Sequence, residues 1–276
     1  MTRNLMKIKG VILSIRARFL ECMGEYVEKP ISQRLATREM RRLGHTDALL
    51  KDLDGESEIY TWAVIGGNGV PTHVIKTSPP FGIRSQCRTR KLTPLFDHIT
   101  PRERVSLIVE RARSLYCAGH GSKPTSEPKD RYGVIEWATG TLLKDMPASR
   151  DSIQSVVSTI LELDLLGFHH GDLHAGNVVI SDEDRILLID SDNQFTRNTT
   201  SRTALAVDLA VLSGSLLILH GTGRCIEEKY TVLNIISETV GDQLMAEISR
   251  IAFDHRTANR WLRAVAQELR GSTGSF

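Results

Sequence analysis

The chain has 276 residues, 35 Lys+Arg against 33 Asp+Glu for a net charge of +2, and 41% hydrophobic residues. With a mean hydropathy of −0.17, this supports one large domain or two lobes around a real core and excludes global disorder, a collagen-like chain and a disulfide scaffold. The charge is too balanced for a dedicated nucleic-acid binder, so no nucleic-acid partner is expected. Cys22, Cys87, Cys117 and Cys225 are far apart and form no CxxC pair, which argues for reduced cytoplasmic thiols rather than zinc or disulfides. No apolar run reaches the roughly 18–20 residues of a membrane span. Residues 209–219 come nearest and read as a buried helix, and no cleavable signal is expected at the basic N-terminus.

Residues 1–50 hold ten Lys/Arg and five Asp/Glu, a local charge of +5. Leu5, Ile8, Ile12, Ile15, Phe19 and Cys22 recur at three- and four-residue steps and share one helical face. Such a basic amphipathic helix either packs its apolar stripe on the body of the protein or lies on an anionic membrane surface. Residues 1–48 are set apart as a basic helical extension.

Strands are expected at 49–53, 58–65 and 70–77, with a turn at 54–57 and a hairpin turn at Gly66-Gly67-Asn68-Gly69. A Pro/Arg-rich connector spans 78–99. Thr100-Pro101-Arg102-Glu103 then opens a helix as a capping box. A strand follows at 132–137, and a helix with the stripe Ile153, Val156, Val157, Ile160 and Leu161 runs to Gly167. Two short apolar strands at 178–180 and 186–189 flank a turn at 181–185, and helical patterns continue to the C-terminus. The result is an α+β chain, with a strand-rich part over 49–138 and a helical part over 139–276.

The segment His170-Gly171-Asp172-Leu173-His174-Ala175-Gly176-Asn177 precedes the first of those two strands, and Asp190 follows the second. Asp172 and Asn177 are five residues apart, and Asn177 and Asp190 thirteen. Two carboxylates and an amide on loops held by a hairpin can offer hard oxygen ligands to Mg²⁺ and still present one carboxylate to an acceptor hydroxyl.

This pattern, H-x-D-x-x-x-x-N with an Ile-Asp at matching distance, resembles the protein-kinase-like superfamily. The resemblance implies a small antiparallel-sheet N-lobe, a mostly helical C-lobe, and ATP and Mg²⁺ as cofactors. It implies Asp172 as acceptor of the hydroxyl proton, Asn177 and Asp190 as Mg²⁺ ligands, and His170 as an architectural tie to the strand before Asp190. Lys76, in Val74-Ile75-Lys76, matches the strand lysine on the nucleotide phosphates; the alternative is a solvated edge charge. Gly55-Glu56-Ser57 resembles the short nucleotide loop of RIO-type kinases. Glu110, rather than the capping Glu103, is the implied partner of Lys76. Glu136 and Trp137 fit the hinge that meets adenine, or simply a buried strand end. Asp208 resembles the buried aspartate that holds the catalytic loop.

Departures from the protein-kinase pattern narrow the acceptor. His174 stands two residues after Asp172 where protein Ser/Thr kinases carry Lys, Asp190-Ser191-Asp192 replaces Asp-Phe-Gly, and only eighteen residues separate Asp190 from Asp208. These features resemble lipopolysaccharide-core (heptose or Kdo) kinases and aminoglycoside phosphotransferases. The expected acceptor is a sugar or glycolipid hydroxyl, with the protein cytoplasmic or peripheral at the inner membrane face through its basic N-terminal helix and Arg84, Arg88, Arg90 and Lys91. A minimal protein kinase with a protein substrate and a pseudokinase binding module are the alternatives.

Overall fold

The computed structural model describes residues 23–53, 59–80, 95–127, 131–221, 231–257 and 259–272. The amphipathic stripe of Leu5 to Cys22, the turn Gly55-Glu56-Ser57 and the cluster Arg84, Arg88, Arg90 and Lys91 lie outside the described residues. The chain divides into two compact units. One comprises Met1–Arg90, Ile99–Glu110 and Lys123–Trp137; the other comprises Lys91–His98, Arg111–Ser122 and Ala138–Phe276.

The first unit is built on an antiparallel sheet of strands β1 (Leu49–Asp52), β2 (Tyr60–Ile65), β3 (Pro71–Thr77) and β4 (Tyr132–Glu136), in sequence order. Gly69 takes a φ of 78° in the turn between β2 and β3, and Gly69 N–H donates to Gly66 O at 2.9 Å, so the glycine cluster is a hairpin turn. Helix α1 (Lys29–Arg42) buries Ala36 and Met40 against Tyr60, Trp62, Val64, Ile75, Tyr132 and Val134. Helix α2 (Pro101–Cys117) buries Val105 and Ile108 with Ile59 and Ile135. Thr100 Oγ1 accepts the Glu103 N–H at 3.3 Å, and the Glu103 carboxylate accepts the Thr100 N–H at 2.7 Å, so the capping box forms as expected. Gly133 on β4 faces α2; a Cβ there would stand 2.3 Å from Val109 Cγ2.

The second unit surrounds helix α4 (Ser201–His220), which is buried from Ala204 through Leu217. Among the described residues α4 is long and apolar enough to cross a membrane by length and composition, but 78% of its apolar window is buried within the fold. A helix apolar all round belongs in a core. Around it lie helices α3 (Arg150–Leu165), α5 (Val232–Val240), α6 (Asp242–His255) and α7 (Arg260–Ser272). Strands β5 (Thr141–Leu142), β6 (Val178–Ile180) and β7 (Ile186–Leu188) form a second antiparallel sheet. Val178 pairs with Leu188 and Ile180 with Ile186, so the open end of this hairpin, opposite its turn, carries both Asn177 and Asp190. The α+β organisation, an antiparallel-sheet unit and a mostly helical unit, is the expected one. The strand expected to reach Ile189 ends at Leu188, and α3 stops at Leu165, two residues before Gly167.

Candidate active site

His170 organises the loop before β6. It is 1% exposed, and burial lowers its pKa to about 4, so the ring is neutral. Its Nε2 lies 2.7 Å from Ile189 O, and its Nδ1 accepts the Asp172 N–H at 3.3 Å. One neutral tautomer, with the proton on Nε2, satisfies both contacts. The ring thereby joins the residue before Asp190 to the backbone of Asp172.

The other ties run the same way. Asn177 Nδ2 donates to Asp172 O at 2.9 Å, and the Ile189 N–H donates to Asn177 O at 3.0 Å. Asp172, Asn177 and Asp190 are thus joined through one backbone network. Asp172 is half-buried, Asn177 buried and Asp190 exposed. Asp190 has a φ of 62°, a left-handed conformation that a non-glycine residue adopts at a cost and that concentrates at functional sites. Gly171 is also left-handed at φ 83°, and a Cβ on it would meet Asn193 Cβ and O at 2.9 Å, so glycine alone fits there.

Behind the loop, Asp208 of α4 is 2% exposed and accepts the N–H groups of His170 at 2.6 Å and Gly171 at 2.8 Å. Burial pushes its pKa up to about 7, against the pull of those two donors and of Arg111. Arg111 was not singled out by the sequence. Its Nη1 reaches His169 O at 3.1 Å, His170 O at 3.0 Å and Ser191 Oγ at 2.8 Å. Ser191 Oγ in turn donates to His170 O at 3.0 Å. Arg111 sits on α2 beside Glu110 in a charged run, and nothing in the local pattern distinguishes a guanidinium bound to a loop from a solvated one.

Mg²⁺ prefers hard oxygens and keeps only one or two protein ligands besides water and phosphate. The donor set fits: Asn177 commits its Nδ2 to the loop and leaves Oδ1, and Asp190 supplies an exposed carboxylate. Among the described residues no three His, Cys, Asp or Glu side chains form a ready-made metal cluster.

In the first unit Lys76 lies on β3 between Thr61 of β2 and Gly133 of β4. It is 7% exposed and on an inner strand, so it is no solvated edge charge. Paired residues of an antiparallel ladder point to one face, which puts Lys76 on the Gly133 side, under α2. Glu110 is on that helix but is exposed, as is Glu103. At the expected hinge, the Glu136 N–H donates to Lys123 O and the Trp137 N–H to Thr72 O, both at 2.9 Å. The amides of Glu136 and Trp137 are therefore spent on the strand end.

No protein-family model and no curated protein sequence matches the chain. Solved structures do. The chain is similar to the Rio2 kinase of Chaetomium thermophilum in its ADP/Mg²⁺-phosphoaspartate complex, at 16% identity and a TM-score of 0.45, over 85% of this chain and 74% of that one. It is also similar to monomeric WbdD, at 16% identity and a TM-score of 0.40, over 68% of this chain and 44% of that one.

Proposed function

We propose that the chain is an ATP- and Mg²⁺-dependent phosphotransferase whose acceptor is a hydroxyl group, most readily that of a sugar such as one in lipopolysaccharide core. The observation that carries this reading is the loop network in which neutral His170 and Asn177 bind Asp172 to the backbone before Asp190. In this reading the Asp172 carboxylate orients the acceptor hydroxyl and takes its proton as the new P–O bond forms and the bond to the ADP oxygen breaks. Asn177 and Asp190 would hold Mg²⁺, which neutralises charge on the phosphate oxygens. Lys76 is assigned to the nucleotide phosphates. Only ten residues run from Asp190 to the Thr200 cap of α4, little chain on which to dock a peptide, which favours a small acceptor. Where that acceptor is a glycolipid, the basic N-terminal segment would place the protein at the inner membrane face.

The test is labelled ATP and Mg²⁺ with bacterial lysate, the label being followed separately in glycolipid, small-molecule and protein fractions. Label dependent on Asp172 in sugar or glycolipid supports the proposal. Label in protein makes it a protein kinase instead, and no transfer by a chain that binds ATP makes it a pseudokinase. Asp172→Ala should lower turnover by about 10²–10⁴-fold while the melting shift given by ATP and Mg²⁺ persists. Asp190→Ala should abolish Mg²⁺-dependent turnover.

A further inference from the structure

One edge of the catalytic loop carries a group of side chains that phosphoryl transfer leaves unused. The His174 N–H donates to Asp172 O at 3.0 Å, and its Nδ1 accepts the Gly176 N–H at 3.0 Å, so the ring is fixed two residues from the proposed base. The ring centroid lies 5.9 Å from that of Trp261, tilted by 35°. The Arg260 guanidinium sits 3.9 Å from the Trp261 ring centroid, a close cation–π contact. Lys144, in the 3₁₀ turn after β5, reaches the same loop: its Cδ is 3.5 Å from where a Cβ on Gly176 would stand.

The group carries two cations, Lys144 and Arg260. Lys144 and Arg260 are exposed, and among the described residues neither forms an ion pair with a carboxylate. After burial, the charges of Arg260 and Lys144 are what hold the His174 pKa below its usual value. Helix α7 begins at Arg260 with no acidic residue in its first turn. A cation at a helix N-terminus is opposed by the helix dipole. An anion placed there would relieve both the dipole and the crowded cations.

The platform is also rigid. A Cβ on Gly214 of α4 would stand 2.1 Å from Trp261 O, so α4 and α7 touch backbone to backbone. One residue along α4, Ser215 Oγ accepts the Ala175 N–H at 2.9 Å, and Asp208 holds His170 and Gly171. A single core helix thus fixes both the catalytic loop and the aromatic side chain, which is how a binding constellation is held to working tolerance.

We propose that Lys144, His174, Arg260 and Trp261 form the acceptor subsite, and that it takes an anionic sugar. The ring would lie against Trp261, and the phosphate or carboxylate would lie on Arg260 and Lys144. This rests on the phosphotransferase reading above, and it narrows the acceptor from any hydroxyl to that of a charged sugar.

The experiment is equilibrium binding to the full chain, read by tryptophan fluorescence. Glucose 6-phosphate and glucuronate are the probes and glucose the uncharged control, with the melting shift given by ATP and Mg²⁺ measured in parallel. Both anionic sugars should change the emission, glucose should not, and Trp261→Phe should remove the response. Lys144→Ala combined with Arg260→Ala, both at exposed positions, should weaken anionic-sugar binding at least tenfold. The same pair should raise the KM for an anionic acceptor by as much, with kcat within about threefold. Glucose binding as well as the anions, unchanged affinity in the double variant, or no binding of either anion by a chain that still responds to ATP would each overturn the subsite. A chain that binds anionic sugars at Trp261 but shows no ATP response would overturn the phosphotransferase reading instead.

Discussion

A buried histidine is rarely decisive, but His170 is held by contacts that only its neutral form can make together. Its pKa of about 4 lies below the ordinary 6.5 because burial disfavours the cation. Between those two values the unfolded chain binds a proton that the folded chain refuses, so this group's contribution to stability is present above pH 6.5 and is lost as the pH falls toward 4. The shift corresponds to about 3 kcal/mol. Asp208 works the other way, since its pKa is raised to about 7 and the stability tied to its protonation is lost as pH rises through that value. The wild-type profile alone therefore mixes two opposed slopes. The difference between wild type and His170→Gln isolates one of them. In urea unfolding between pH 4 and 7, the wild-type advantage should be largest at pH 7 and shrink by about 3 kcal/mol toward pH 4. Parallel profiles would mean that His170 is protonated in the folded chain.

Local rules carry the elements whose ends are chemically marked. The Thr100–Glu103 capping box, the Gly66–Gly69 turn and the β6–β7 hairpin were all legible, because each depends on neighbours within a few residues. The loop motif was legible for the same reason. What escaped the sequence is tertiary. Arg111 is half-buried because the loop before β6 folds over it, and the Glu136 and Trp137 amides are spent because Lys123 and Thr72 come back to meet them. Gly214 is the clearest case. Inside α4 it reads as a weak spot in a helix, but α7 crosses there at backbone distance from Trp261. Gly214→Ala gains helix propensity of nearly 1 kcal/mol, yet it must push two helices apart. We expect a net loss of about 1–3 kcal/mol in denaturant unfolding, with a weakened near-ultraviolet signal from Trp261. A stabilised variant would refute the close crossing.

At the scale of the molecule, sequence charge suggests an N-terminal extension, with residues 1–50 at +5 and the remainder at −3. Packing adds what the charge does not show. Residues 29–42 form α1, and Ala36 and Met40 close one face of the sheet over Trp62, Val64 and Ile75. Charge on the outer side of α1 marks its solvated face and says nothing of the apolar face beneath, which packing alone reveals. Ala36 is fully buried, and an aspartate there would set an unpaired carboxylate on the sheet at a cost of several kcal/mol. Ala36→Asp should lower the unfolding midpoint sharply and shift emission to the red, because Trp62, at 2% exposure, would gain water. Tyr26→Ala, at a position 81% exposed just before the same helix, should change stability by no more than about 0.5 kcal/mol. A detachable extension would tolerate both substitutions equally, so a large gap between the two variants is what identifies α1 as part of the sheet's core.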